Sequence, residues 1–138
     1  MGGMETLPFV DEHAQVVDAD VATAWGAVEG FVRPWVRRPA PALLARAWGL
    51  EPASGFAIAE TRPNELLSLR GRHRFSRYQL DFALEPLAGD RTRVRAVTRA
   101  VFPGPHGRAY RAAVIGTRMH VLVTRRMLRR IAARAAPR

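Results

Sequence analysis

The sequence GPHGRAYRAAVIGTRMHVLVTRRMLRRIAAR, residues 104–134, predicts one long helix around which the rest of the chain can fold. Gly104 and Pro105 mark its start, because a proline at the first helical position gives up an N–H that has no partner there. Thirty-one residues at about 1.5 Å per residue would extend roughly 46 Å, which is enough to cross a small domain.

The side chains of this segment divide into two arcs when they are placed at about 100° per residue. The apolar arc holds Ala109, Tyr110, Ala113, Val114, Thr117, His120, Val121, Thr124, Met127, Leu128, Ile131 and Ala132. The cationic arc holds Arg108, Arg111, Arg118, Arg125, Arg126, Arg129 and Arg130. We therefore expect one face to be buried and the other to meet solvent. Ile115, Met119 and Leu122 fall among the arginines, and we interpret them either as an overlap with the core or as a protein-contact stripe that could form a homodimer.

The composition indicates a single domain over residues 1–138, with flexible ends at 1–8 and 135–138. A hydrophobic content of 48% and a charged content of 25% are ordinary for a globular protein. The absence of cysteine excludes disulfides and thiolate metal sites. No apolar run approaches the roughly 18 residues of a membrane span, and the N-terminus lacks a signal-peptide pattern. We expect a cytoplasmic protein.

The charge is unevenly distributed along the chain. Residues 1–90 hold 9 Arg and 12 acidic residues, whereas residues 91–138 hold 13 Arg and no acidic residue. Such asymmetry can mark a surface that binds nucleic acid or an anionic membrane, and this stays open as an alternative function. We prefer solvated helix and strand faces. Nucleic-acid binding is not expected, because few aromatic residues accompany the arginines and no binding motif is present.

The first half of the chain predicts one strand and two helical segments. Residues 9–17 read as a strand, and Asp20 is the expected N-cap of a helix whose apolar residues follow at spacings of four, three and four. Residues 33–41 contain three prolines and predict a loop. Residues 42–48 predict a short helix that Gly49 closes.

From Gly55 onward, apolar and polar residues alternate, which is typical of strands. The alternation predicts strands that begin near Phe56, Leu67, Tyr78 and Arg93. An antiparallel sheet with one polar face needs an apolar cover on the other. The helix at 104–134 is the one element long enough to provide it. The sequence therefore predicts an α+β helix-grip fold, in which a curved antiparallel sheet wraps around a long C-terminal helix.

This order of elements resembles the START-like superfamily, also called SRPBCC or Bet v 1-like, which includes polyketide cyclases/dehydrases and lipid-transport proteins. The matching segments are Asp20–Trp25, Gly71–Phe75 (GRHRF), Arg91–Val94 leading to Thr98, Phe102–Gly104 and Met127–Ile131. More narrowly, the chain is similar to small actinobacterial members whose function is unknown. The resemblance implies a pocket between the sheet and the last helix. Members bind lipids, hormones or polyketides, and some act as cyclases.

The candidate ligand-binding residues are aromatic or polar side chains that the pattern predicts to face the interior. Small-molecule sites are usually built in this way. They are His73, Tyr78, Phe82, Thr98, Tyr110 and His120, with Trp35 and Trp48 near the mouth. The alternative for the two tryptophans is that they fill the edge of the core. The alternative for the inward histidines is a satisfied core network. His13 and His106 are expected to be solvated. The four histidines show no metal-ligand spacing, so we predict no metal and no cofactor.

The predicted function is the binding of a hydrophobic or amphipathic small molecule whose identity the sequence does not give. A polyketide cyclase or aromatase-like enzyme is the alternative, because a His–Tyr pair could support proton transfer. The sequence contains no nucleophile elbow, phosphate-binding loop or paired-carboxylate motif. We therefore name no catalytic residues and favour a binding protein over an enzyme.

Overall fold

The computed structural model describes residues 7–114 and 119–136, and the secondary structure of these residues confirms the α+β class. Five strands are present in them: β1 Phe9–Val17, β2 Ala57–Arg62, β3 Leu66–His73, β4 Ser76–Leu87 and β5 Arg91–Val101. Four helices accompany them: α1 Val21–Arg37, α2 Ala42–Trp48, α3 Gly104–Val114 and α4 Met119–Ala135. None of the described helices is long and apolar enough to cross a membrane.

The five strands form one antiparallel sheet in the order β1-β5-β4-β3-β2. Three hairpins connect the consecutive strands from β2 through β5. Helices α1 and α2 carry the chain from β1 at one edge of the sheet to β2 at the other. Directly paired residues share a face of the sheet. Tyr78 pairs with Gly71 on one side and Ala100 on the other, so these three positions lie together on the inner face.

Helix α1 begins where the sequence predicts. The carboxylate of Asp20 accepts a hydrogen bond of 2.8 Å from the backbone N–H of Thr23, which satisfies one of the free donors of the first turn. Trp25, Val28 and Val32 are buried on one side of the helix. This side packs against α4 and the inner face of β4 and β5.

The predicted loop at residues 33–41 is wrong in its first half, because α1 continues through Pro34 to Arg37. A proline inside a helix removes one backbone hydrogen bond and costs about 3 kcal/mol. The residues around it compensate, since the side chains of Phe31, Trp35 and Val36 pack against the core. Burial of this apolar side therefore outweighs the local helix-breaking signal.

The predicted helix at 104–134 is described as two helices, α3 and α4, while the continuity expected through residues 115–118 lies outside the described residues. The arcs are confirmed on α4, where Thr124, Leu128 and Ile131 are buried and Arg125 is exposed. On α3, Ala109 is exposed rather than buried.

The dimer stripe stays a prediction, because Ile115 and the side chain of Met119 lie outside the described residues. The side chain of Leu122 is 67% exposed.

The core fills only one end of the inner face of the sheet. There α1 and α4 cover Leu67, Phe82, Leu84 and Val94, which are all buried. The other end, toward the β3–β4 turn, is flanked by α2 and α3.

Candidate ligand-binding cavity

A cavity of about 460 Å³ lies at the less filled end of the sheet, bounded by strands, helices and the segment after α2. Its wall is mainly apolar and aromatic. The lining residues are Val10, Trp35, Leu44, Trp48, Leu50, Phe56, His73, Ser76, Tyr78, Gln79, Leu80, Thr98, Ala100, Phe102, Tyr110, His120, Val123, Thr124 and Met127.

The sequence of the central strands explains why a cavity forms there. Along β5, the inner face carries Val94 and Ala96 at the filled end and Thr98 and Ala100 at the open end. Thr98 and Ala100 have short side chains and border the space, whereas Ala96, which is equally short, is covered by the packed core. Close packing fills most protein interiors, so a space of this volume beside short side chains is a distinct feature of the fold.

Aromatic rings form a continuous wall along one side of the cavity. The ring of Phe56 lies 5.0 Å from Trp35 and 4.9 Å from Tyr78, measured between centroids. The ring of His73 lies 5.4 Å from Tyr78 and 4.8 Å from Tyr110. These tilted and edge-to-face arrangements are the favourable ones for aromatic pairs, so the wall is held by its own contacts.

The hydroxyl of Tyr78 is already used by the protein. It donates a hydrogen bond of 2.6 Å to the carbonyl of Gly55, in the segment that leads into β2. Burial, with a smaller contribution from Tyr110, raises the pKa of Tyr78 to about 12. Tyr78 is therefore a neutral phenol that ties β4 to the segment before β2.

His73 and Tyr110 each present a hydrogen-bond donor. The Nδ1 atom of His73 accepts the backbone N–H of Phe75 at 3.1 Å, and burial lowers the pKa of the imidazole. The neutral ring therefore carries its proton on Nε2. Burial raises the pKa of Tyr110, so its hydroxyl keeps its proton and can donate a hydrogen bond.

Thr98 adds a third polar group. Its Oγ1 atom is buried and has no hydrogen-bond partner within the part of the chain that the structure describes. Buried hydroxyls are usually paired. Because Thr98 lines the cavity, rotation about its Cα–Cβ bond would bring the hydroxyl to a bound molecule, where it could donate or accept.

His120 reaches the cavity from α4 and is held by a carboxylate. Its Nε2 atom lies 2.9 Å from Oδ1 of Asp11 on β1, and Nε2 of His13 lies 3.2 Å from Oδ2 of the same residue. The expected solvation of His13 is wrong, because its side chain is only 16% exposed. An imidazole oriented by a carboxylate can accept or donate a proton. No group of three acidic or histidine residues in 7–114 and 119–136 is arranged to hold a metal.

The structure brings most of the predicted site residues together. His73, Tyr78, Thr98, Tyr110, His120, Trp35 and Trp48 all line the cavity. Phe82 does not line the cavity, although it lies on the same face of β4 as Tyr78. It lies farther along β4, where α1 and the core cover it completely.

Sequence reasoning missed Asp11 at the edge of the site. Asp11 lies opposite Thr98, and the unbroken register from Asp11 to Val17 keeps it on the inner face with the buried Val17. The register shift between Phe9 and Asp11 breaks the alternation before this point, so Phe9 faces the other way and is 57% exposed. Phe56 and Ala100 were expected on the inner face, but nothing distinguished them from core residues.

We expect the two tyrosines to ionise later than free tyrosine, because burial disfavours the phenolate. In a Tyr110→Phe variant, Tyr78 is the one remaining tyrosine and should still ionise above its ordinary 10.0, because burial is the larger cause of the shift and stays in place. The native state then holds the proton after the unfolded state has lost it, so the free energy of unfolding should fall as the pH rises above 10. Tyrosinate absorbance measures the titration. Ionisation of the folded variant at the ordinary pKa would contradict the burial.

Solved structures share this fold. The chain aligns over 94% of its length with 94% of an aromatase/cyclase from Streptomyces sp. R1128, at 12% identity and a TM-score of 0.59. A protein from Rhizobium loti matches 94% of the chain and 99% of its own length, at 14% identity and a TM-score of 0.56. A START superfamily protein from Mycobacterium smegmatis matches 84% of the chain and 92% of its own length, at 12% identity and a TM-score of 0.51.

These alignments span nearly the whole chain at low identity, so they establish the fold. The chain has the START-like helix-grip fold that the sequence predicted. No protein-family model matches the sequence, and no curated protein matches it. The narrower resemblance to small actinobacterial members stays a prediction.

Proposed function

We propose that this protein binds an amphipathic small molecule with an aromatic or other planar apolar body in the cavity beside β4 and β5. The observation that carries the proposal is the cavity itself: about 460 Å³ with a mainly apolar lining and a few polar groups. This combination of an apolar wall and a small number of convergent polar groups is characteristic of small-molecule sites.

The polar groups specify the chemistry of the ligand. His73 offers Nε2–H, Tyr110 offers its O–H, and Thr98 offers an unpaired hydroxyl. All three can donate, so they suit a ligand that carries acceptor oxygens such as carbonyls. A purely hydrocarbon ligand would leave the buried Thr98 hydroxyl without a partner, which is unfavourable. The proposal is therefore an amphipathic ligand rather than a plain hydrocarbon.

Native mass spectrometry of the intact chain, purified without organic solvent, is the first test. We expect part of the protein to carry a non-covalent adduct, which denaturation releases. Apo protein should then bind the planar apolar probe 1-anilinonaphthalene-8-sulfonate. Roughly 21 non-hydrogen atoms at about −0.3 kcal/mol each give about −6 kcal/mol, or a dissociation constant of tens of micromolar.

The extracted adduct should compete with this probe. Saturable binding at one site, lost on addition of the adduct, supports the proposal. A chain with no adduct and no saturable probe binding would contradict it.

A further inference from the structure

The opening of the cavity is formed by apolar side chains that are also in contact with solvent. Leu44, Trp48 and Val123 line the cavity, yet they are 48%, 40% and 54% exposed. A side chain that borders a cavity and is about half exposed lies at its mouth. Leu44 and Trp48 belong to α2, and Val123 belongs to α4.

The same two helices carry the most exposed large apolar side chains of the described residues. Leu43 on α2 is 83% exposed and Leu122 on α4 is 67% exposed. Of the seven exposed large apolar residues, five lie on these two helices and two on β1, so the apolar surface is concentrated. We call Leu43, Leu44, Trp48, Leu122 and Val123 the apolar rim. Concentrated apolar surface of this kind usually marks an interaction site.

The charge on the helices around the apolar rim has one sign, and the exposed Glu51 that follows α2 is paired with Arg72 at 2.7 Å. Helices α2, α3 and α4 contain arginines and no acidic residue. Arg46 follows Leu43 by three positions, and Arg125 and Arg126 follow Leu122 by three and four, so each lies beside its leucine on the helix surface. On α3, the guanidinium carbon of Arg111 lies 5.9 Å from the ring of Phe102, which lines the cavity.

We propose that the apolar rim docks on the surface of an anionic lipid bilayer, with the cavity mouth facing the membrane. Exposed leucines and a tryptophan enter the boundary between headgroups and acyl chains, where an amphipathic indole is favoured. The neighbouring arginines remain at the level of the headgroups and attract anionic lipid. Because α2 and α4 both border the mouth, this orientation opens the cavity toward the membrane.

A bilayer suits this surface better than other partners. A nucleic acid would satisfy the arginines but offers no apolar phase for Leu43 and Leu122. A second copy would bring arginine-bearing helices against each other without an acidic residue from α2, α3 or α4 to neutralise them. An anionic bilayer provides both negative charge and an apolar layer.

The inference goes beyond the proposed function, because docking needs only the apolar rim and its arginines. It would let a poorly soluble ligand pass between bilayer and cavity without crossing water. The two proposals can fail separately. A protein that binds vesicles but no probe supports docking alone, and one that binds the probe but no vesicles supports the cavity function alone.

Co-sedimentation of the intact chain with vesicles tests the docking. We expect binding to vesicles that mix phosphatidylglycerol with phosphatidylcholine, and little binding to pure phosphatidylcholine. Added salt should weaken the binding without abolishing it, since salt screens the charges but not the apolar insertion. No binding to the anionic vesicles at low salt would overturn the proposal.

Two variants address the apolar rim directly. Leu43→Asp and Leu122→Asp are expected to weaken vesicle binding by about tenfold or more. The reason is that removing one leucine side chain from the apolar layer of the membrane lowers the affinity by at least about that factor. Neither residue lines the cavity, so probe binding should not change. Val16→Asp is the matched control, since Val16 is 43% exposed on β1. Circular dichroism melting confirms that each variant is folded.

Three further results would overturn the docking proposal. The first is vesicle binding that falls equally in the Val16→Asp control. The second is vesicle binding that both leucine variants leave unchanged, which would indicate charge attraction alone. The third is a stable dimer in sedimentation velocity that Leu122→Asp dissociates, which would assign the rim to a second copy.

Discussion

Replacing Ala100 with tryptophan is expected to weaken binding of 1-anilinonaphthalene-8-sulfonate by about 70-fold. Ala100 lies on β5, is buried and lines the cavity directly beside Tyr78. An indole at this position would occupy the space that the probe needs. Excluding a probe from roughly 100 Å² of apolar wall costs about 2.5 kcal/mol at 25 cal/mol per Å², which gives this loss in affinity.

The free energy of unfolding should change much less than the affinity, because the new side chain enters an existing space rather than a packed core. The control is Ala57→Trp, which adds the same group at an exposed position on β2 that does not line the cavity. Fluorescence titration of the three proteins measures the effect. Equal affinities for wild type and Ala100→Trp would show that the probe binds elsewhere.

A second variant keeps the test valid if Ala100→Trp does not fold. Val123→Trp places the ring at the mouth, where Val123 is 54% exposed, so the core is not disturbed. It should slow the entry and release of the probe and weaken its binding to a smaller extent. Stopped-flow fluorescence separates these rates. Unchanged rates in this variant would show that the probe does not pass Val123.

The sequence predicted the sheet well because its strands carry a simple signal. Along β3, β4 and β5, every second residue faces the interior, as the alternation predicts. Strand β1 begins and ends at the predicted residues. Parity alone therefore placed His73, Tyr78 and Thr98 on the inner face. It could not say how far along each strand the helices reach, which is why Phe82 belongs to the core and Ala100 to the cavity.

Two other features depend on contacts between residues that are distant in sequence. Pro34 is a strong local signal for a loop, but packing of Trp35 and Val36 on the core carries α1 past it. Asp11 and His120 are 109 residues apart and meet because the fold places α4 against β1. Neither outcome follows from a local pattern, since both depend on the assembled tertiary structure.

Substitution of Gly71 by alanine is expected to cause the largest loss of stability among these variants. Gly71 pairs with Tyr78 across the β3–β4 ladder. A Cβ atom at this position would collide with the backbone carbonyl oxygen of Gly55 and would lie 2.7 Å from Cε1 of Tyr78. Neither neighbour is the free end of a flexible side chain, because the Tyr78 hydroxyl is itself bonded to that same carbonyl.

The added methyl group should therefore displace Tyr78 and break its hydrogen bond to Gly55. Overpacking of this kind and the lost bond together cost roughly 3 kcal/mol. Denaturant unfolding measures the change. Gly26→Ala is the matched control, because a Cβ there meets nothing within 4 Å. An alanine inside α1 should stabilise the chain by roughly 0.5–1 kcal/mol.

The Gly71→Ala variant also has a local signature that a general loss of stability would not produce. Burial holds the pKa of Tyr78 at about 12, so displacement toward water should return it toward 10.0 while the protein is still folded. Probe affinity should fall in parallel, because Tyr78 links the Phe56 and His73 parts of the aromatic wall. If the variant unfolds at the same denaturant concentration as wild type and its Tyr78 still ionises near pH 12, the close approach of Gly71 and Gly55 is not required for the cavity wall.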